Sequence, residues 1–169
     1  MAGIYNGYEC IRLREWRAVF TDRSPRNWWF KLMPKSEYTH CELIGNDGFG
    51  WVLVTPKNAS IAIYTLVNDI NTTPEEWAKE FDDVEVVKTR KFVSKAPRVI
   101  LFSTWTCVEV CKSILGISEW YLVTPDQLHY YLKMDGKVSK WWKAKNMAFS
   151  ALAHLLAVPL SLIIAIVRK

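Results

Sequence analysis

Two residues in this sequence have the type and setting that nucleophilic catalysis requires. Cys107 falls in "STWTCVEVCKSILGI", in the predicted first turn of an apolar helix that stops at Gly116. Unpaired N–H groups and the positive end of the helix dipole favour a thiolate there, and the same N–H groups can donate to an oxyanion. His40, one of three histidines, lies on the predicted strand "THCELI". A neutral imidazole against the thiol would accept its proton and form the activated pair of cysteine hydrolases.

Less specific interpretations fit the same residues. Buried free cysteine is common, and a single strand histidine is usually packed without a chemical role. Cys41 and Cys111 fit small core residues. Cys111 is four residues after Cys107 and shares its helix face, so with His40 these thiols could in principle bind zinc, although no ligand spacing typical of a structural zinc site occurs.

The elements around these residues predict an α+β domain with a short antiparallel sheet and a few helices. Two strands flank a glycine-bracketed turn at 45–50, which favours a hairpin, and 60–67 is predicted as a third, largely buried strand. The remaining predicted segments are a strand or helical turn at 15–21, an apolar stretch at 27–34, helix starts at 73–76 and 124–127, and a strand at 84–88.

In order along the chain, these features resemble the permuted papain-like hydrolases, the NlpC-related cysteine amidases and peptidases in which His precedes Cys. The resemblance rests on "THCEL", "WVLVTP", "TCVEVCKSILGI" and "VTPDQLHYYL", covers about residues 28–133, and is greatest to small phage-encoded members. It implies a permuted papain-like domain in which His40 is the general base and Cys107 the nucleophile.

The family also has a third residue, which orients the imidazole from the neighbouring antiparallel strand. If the hairpin is centred near 47–48, Thr55 or its neighbour Val54 lies across from His40, so Thr55 is the predicted third catalytic residue. Glu42 is a second candidate, because two-residue alternation places it on the strand face of His40.

Composition limits the other function classes. The chain of 169 residues is half hydrophobic and long enough for one well-packed domain. Four cysteines without a CxxC pair indicate neither a disulfide scaffold nor a zinc ribbon, and no apolar signal-peptide segment is predicted at the N-terminus. The formal charge is +5, and residues 131–146 hold five Lys against one Asp, a basic collar suited to a membrane surface.

The C-terminal stretch 147–167 is uncharged at neutral pH and 21 residues long. As a helix it would extend about 31 Å, close to the hydrocarbon thickness of a bilayer. Trp141 and Trp142 precede it at the position of an interfacial belt. The sequence therefore predicts a papain-like domain at 1–138 and a basic collar with an apolar helix at 139–169, although a long core helix or a helix buried against partner subunits also fits.

Two functions follow as hypotheses. The first is a cysteine hydrolase of amides or esters, without a cofactor, attached to a membrane through 147–167 and belonging to a phage virion or ejection apparatus that acts at the host envelope. The alternative is a catalytically silent papain-like protein that docks to virion proteins or a membrane. Nucleic-acid binding ranks third, since the basic patch is small.

Overall fold

The computed structural model of the chain describes residues 3–5, 8–10, 15–22, 37–46, 48, 50–57, 60–66, 72–90 and 106–167. The strands are β1 (Gly3–Tyr5), β2 (Tyr8–Cys10), β3 (Glu15–Thr21), β4 (His40–Asn46), β5 (Trp51–Lys57), β6 (Ser60–Leu66) and β7 (Val84–Thr89). The helices are α1 (Pro74–Ala78), α2 (Cys107–Leu115), α3 (Pro125–Lys133) and α4 (Lys140–Val167). The predicted apolar stretch at 27–34 lies outside the described residues.

An antiparallel sheet of five strands, in the order β6-β5-β4-β3-β7, organises the domain, and β1 and β2 form a separate two-stranded sheet. The α+β class is therefore confirmed, and the segment at 15–21 is a strand. The prediction that the 60–67 segment is largely buried was wrong. Because β6 lies at the edge of the sheet, Ile61 and Ile63 are 41% and 68% exposed.

Helices α2 and α3 cover one face of the sheet. Alternate residues of the central strand β4 and its neighbour β3 point to this face and are fully buried: Cys41 and Leu43 on β4, and Phe20 on β3. They pack with the apolar faces of α2 and α3 in a single cluster, which includes Val110 and Leu128. This packing fixes the start of α2 against the start of β4, where the candidate site lies.

A threonine caps the N-terminus of each of the three short helices, as the sequence predicts for Thr73 and Thr124. Thr73 and Thr124 form complete capping boxes with a proline in the first turn. Thr106 caps α2, since its hydroxyl accepts a 3.2 Å hydrogen bond from the Glu109 N–H. The helix ends at Gly116, whose φ of 75° is left-handed and favours glycine. The local sequence therefore sets both ends of α2.

The first part of α4 is attached to the domain by specific contacts. The ring of Trp142 stacks on Tyr130 of α3 with 4.9 Å between centroids. About two helical turns later, the fully buried Ser150 donates a 2.6 Å hydrogen bond to the carbonyl of Tyr121. These contacts hold the N-terminal half of α4 against the domain.

Beyond Ser150 the described side chains of α4 face solvent. Leu152 is 57% and Leu155 is 72% exposed. Among the described residues, no helix is both long enough and apolar enough to cross a membrane.

Candidate active site

The site forms where the first residue of β4 meets the first residue of α2. His40 begins β4 and lies opposite Thr21 of β3. Cys107 begins α2, next to its cap Thr106. The imidazole and the thiol are in hydrogen-bonding contact. The structure thus brings together the predicted base and the predicted nucleophile, which are far apart in sequence.

The surroundings favour an ion pair between these two groups. Burial alone would lower the pKa of His40, but hydrogen bonds to Cys107 and Glu42 outweigh it and raise the pKa to about 10. The pKa of Cys107 falls to about 5, mainly because the Cys41 thiol donates to it, with the His40 contact adding to the effect and burial opposing it. A thiolate beside an imidazolium is therefore the stable form between these two pKa values.

Cys41 takes a larger part in the site than the sequence indicated. It is fully buried in the core, as predicted, and burial raises the pKa of its thiol well above the ordinary value, so it remains a donor. Both its S–H and its backbone N–H are directed to the sulfur of Cys107. The sulfur of the equally buried Cys111 lies 3.7 Å away from that of Cys41. In the sequence, only the position of Cys41 next to His40 pointed to this role. Because neighbouring side chains of a strand point to opposite faces, strand alternation argued against a shared site.

Glu42 holds the other side of the imidazole. Its Oε1 lies 3.2 Å from Nε2 of His40, and both side chains are 24% exposed. Burial tends to raise the pKa of Glu42, but hydrogen bonds from His40 and Thr55 lower it below the ordinary value. An ionised carboxylate at this position orients the ring and stabilises the imidazolium. The second candidate for an orienting residue is therefore the one in contact with the ring.

Thr55 lies beside Glu42 and not beside His40, where the sequence predicted it. The register of β4 and β5 pairs Leu43 with Val54, which places Thr55 beside Glu42, so the expected pairing of Thr55 with His40 was wrong. The ladder runs to the pair Asn46–Trp51, so the turn is centred later in the chain than 47–48. Thr55 reaches the site by a hydrogen bond to Glu42.

The first turn of α2 also presents backbone donors. The N–H groups of Glu109 and Val110 are bonded to Thr106, the first to its hydroxyl and the second to its carbonyl. Within the described part of the chain, the N–H groups of Cys107 and Val108 have no hydrogen-bond acceptor and lie at the helix tip, beside the thiol. Donors in this position suit a developing oxyanion.

Among the described side chains, no group of three or more His, Cys, Asp or Glu is arranged to hold an ion, so the zinc alternative for His40, Cys107 and Cys111 has no support there.

Comparison of the chain with protein-family models, with curated proteins and with solved structures gave no match.

Proposed function

We propose that the protein is a cysteine hydrolase that cleaves an amide or an ester, with Cys107 as nucleophile and His40 as base. The observation that carries the proposal is the contact of the helix-start thiol with an imidazole that Glu42 holds from the other side. Contact alone would fit a structural pair. The pKa of Cys107 near 5 argues further, because it gives a thiolate at neutral pH.

The geometry supports a two-step reaction. The thiolate of Cys107 attacks the substrate carbonyl, whose oxygen gains the electron pair and is stabilised by the N–H groups of Cys107 and Val108. The His40 imidazolium then protonates the leaving amine or alcohol, and an acyl-thioester remains. Neutral His40 next takes a proton from water, the hydroxide releases the acid, and the thiolate and imidazolium are restored. Glu42 orients the ring and stabilises its charged form throughout.

We propose the permuted papain-like fold on the order of these parts. His40 begins a central strand and precedes, in the chain, a helix that starts with Cys107 and packs on that strand. The resemblance to small phage-encoded members of the NlpC-related group supports a role in a virion or ejection apparatus. On this basis, the proposed substrate is an amide or ester of the host envelope, in peptidoglycan or lipid.

We propose in addition that residues 147–167 attach the protein to a membrane. The support is the uncharged sequence, together with the exposure of Leu152 and Leu155 beyond the last contact of α4 with the domain. Lysines 140, 143 and 145 precede this stretch and suit anionic headgroups. Other virion proteins are alternative partners for the same apolar surface.

Acyl transfer to Cys107 tests the proposal. Full-length protein is mixed with a p-nitrophenyl ester and, separately, with peptidoglycan stem-peptide amides, and the intact mass and product release are followed. We expect a burst of nitrophenol and an acyl adduct on Cys107 that turns over. Cys107→Ser and His40→Ala should abolish the burst. Cys111→Ala, which alters a fully buried thiol outside the pair, should retain it.

The silent interaction protein is the other outcome of this experiment. A Cys107 that is alkylated rapidly at neutral pH but forms no acyl adduct with any ester or amide would refute the hydrolase proposal and favour that alternative. Rapid alkylation without acylation would mean that the thiolate is present and the acyl-binding geometry is not.

A further inference from the structure

We propose that Cys41 is a resolving cysteine, which closes Cys107 into a reversible disulfide when a hydroperoxide oxidises it. This site of oxidative modification goes beyond the hydrolase activity. It needs only the thiolate and its neighbour, so it can be tested without any substrate.

Cys107 packs against the core cluster that contains Cys41, and the sulfur of Cys41 lies 3.7 Å from that of Cys111, one helical turn after Cys107. Cys41 directs both its thiol and its backbone N–H to the sulfur of Cys107. Strand β4 and helix α2, which carry the two residues, pack in one core cluster. A disulfide needs the two Cβ atoms about 4 Å apart, which sulfurs in hydrogen-bonding contact allow after a rotation of the side chains.

The exposure of the two side chains determines which thiol a peroxide oxidises first. Cys107 is partly exposed, whereas Cys41 and Cys111 are fully buried. A dissolved peroxide therefore reaches Cys107 first. The low pKa of Cys107 supports this order, because the thiolate and not the thiol attacks a peroxide. Burial keeps Cys41 protonated and out of the first step.

The chemistry balances in two steps. The Cys107 thiolate attacks one oxygen of the hydroperoxide, the O–O bond breaks, and Cys107 becomes a sulfenic acid while the peroxide, after taking up a proton, leaves as an alcohol or water. The Cys41 sulfur then attacks the sulfenic sulfur. The S–O bond breaks, the Cys41 proton goes to the departing hydroxide, and one water and one disulfide result.

The contact between Cys41 and Cys111 does not compete in this scheme. Their sulfurs are 3.7 Å apart, but both side chains are fully buried from a dissolved oxidant, and burial raises the pKa of the Cys41 thiol. A disulfide between them would need an oxidised sulfur at one of the two. Oxidation begins at Cys107, so its contact with Cys41 decides the product.

Closure of the disulfide would block Cys107 and protect it from irreversible oxidation. A sulfenic acid without a resolving thiol reacts with further peroxide to a sulfinic acid, which dithiothreitol does not reduce. Cys41 would thus turn an irreversible loss into a reversible one.

The test exposes full-length protein to hydrogen peroxide at neutral pH and maps the cysteines by mass spectrometry under non-reducing conditions. Cleavage after Glu109 separates Cys107 from Cys111, so a peptide linked to Cys41 identifies its partner. We expect a Cys41–Cys107 link that forms in wild type and in Cys111→Ala, is reversed by dithiothreitol, and is missing in Cys107→Ser. In Cys41→Ala, Cys107 should pass to the sulfinic acid at least about tenfold faster than in wild type.

Two results would overturn the proposal. One is a Cys41–Cys111 link, or no link at all, in oxidised wild type, which needs no variant to fold. The other is formation of Cys107 sulfinic acid at the same rate with and without Cys41. Neither result would bear on acyl transfer, so the fate of this proposal is separate from that of the hydrolase proposal.

Discussion

Replacement of Glu42 by Gln should lower the pKa of His40, which sets the upper pH limit of the thiolate–imidazolium pair. The replacement should leave the pKa of Cys107, which sets the lower pH limit, nearly unchanged. The variant keeps the shape of the side chain and removes its charge 3.2 Å from the imidazole of His40. An opposite charge at such a distance raises a histidine pKa by 1–3 units as a rule, and partial exposure of both groups argues for about 1–2 units here. The pKa of His40 should therefore fall from about 10 to about 8–9.

Alkylation of Cys107 by iodoacetate, followed by mass spectrometry from pH 4 to 11, measures both limits. The anionic reagent is attracted by the imidazolium, so its rate rises as the thiol ionises and falls as His40 loses its proton. Glu15→Gln is the matched control. It removes a carboxylate on the same face of the sheet, at the far end of the β3–β4 ladder. Glu15 lies about 20 Å from His40 along the strands, so salt screens the effect of its charge on the imidazole. An unchanged falling limb in Glu42→Gln, or an equal shift in Glu15→Gln, would refute this reasoning.

Three further predictions concern stability and solubility. Lys112→Met should lower the free energy of unfolding, measured in urea titrations, by about 1–3 kcal/mol. The reason is that the buried Lys112 ammonium donates hydrogen bonds to Glu109 and to the Leu122 carbonyl. An unchanged urea midpoint would show that these bonds do not stabilise the fold. Glu85 has its pKa lowered to about 2, since bonds from Lys133, Tyr38 and His129 outweigh burial, so its contribution is present above its ordinary pKa of 4.5 and lost as the pH falls toward 2. Glu85→Gln should therefore destabilise the protein at pH 7 and flatten the loss of stability between pH 4.5 and 2, and parallel curves for variant and wild type would contradict this. Removal of 153–169, which spares the Ser150 contact, should abolish flotation with liposomes and leave the unfolding midpoint near that of the full chain; an unfolded truncation would place the stretch in the core.

The sequence predicted best the features that local chemistry determines. Thr73, Thr124 and Gly116 act through their own side chain or φ angle, so their roles as caps and stops can be read without knowledge of the fold. The placement of Cys107 at a helix start follows directly from the threonine before it. Its contact with His40 could be expected only from the order of the parts in the resembled family.

The features that depend on tertiary register were predicted less well. The turn between β4 and β5 is centred later in the chain than predicted, so Thr55 lies beside Glu42 and not beside His40. The register of a hairpin is not determined by the glycines of its turn alone. The exposure of Ile63 reflects the position of β6 at the sheet edge, which its apolar sequence does not reveal. Cys41 contacts Cys107 because α2 packs across the start of β4, a relation between elements that strand alternation cannot give.

The state of Cys107 at neutral pH tests the central claim most directly. The ultraviolet absorbance of thiolate is recorded against pH for wild type, and the curve for Cys107→Ser is subtracted. We predict that the difference has its midpoint at about pH 5, set by the contacts with Cys41 and His40. A midpoint near the ordinary value of 9.0 would mean that no thiolate–imidazolium pair exists, and it would contradict the account of this site.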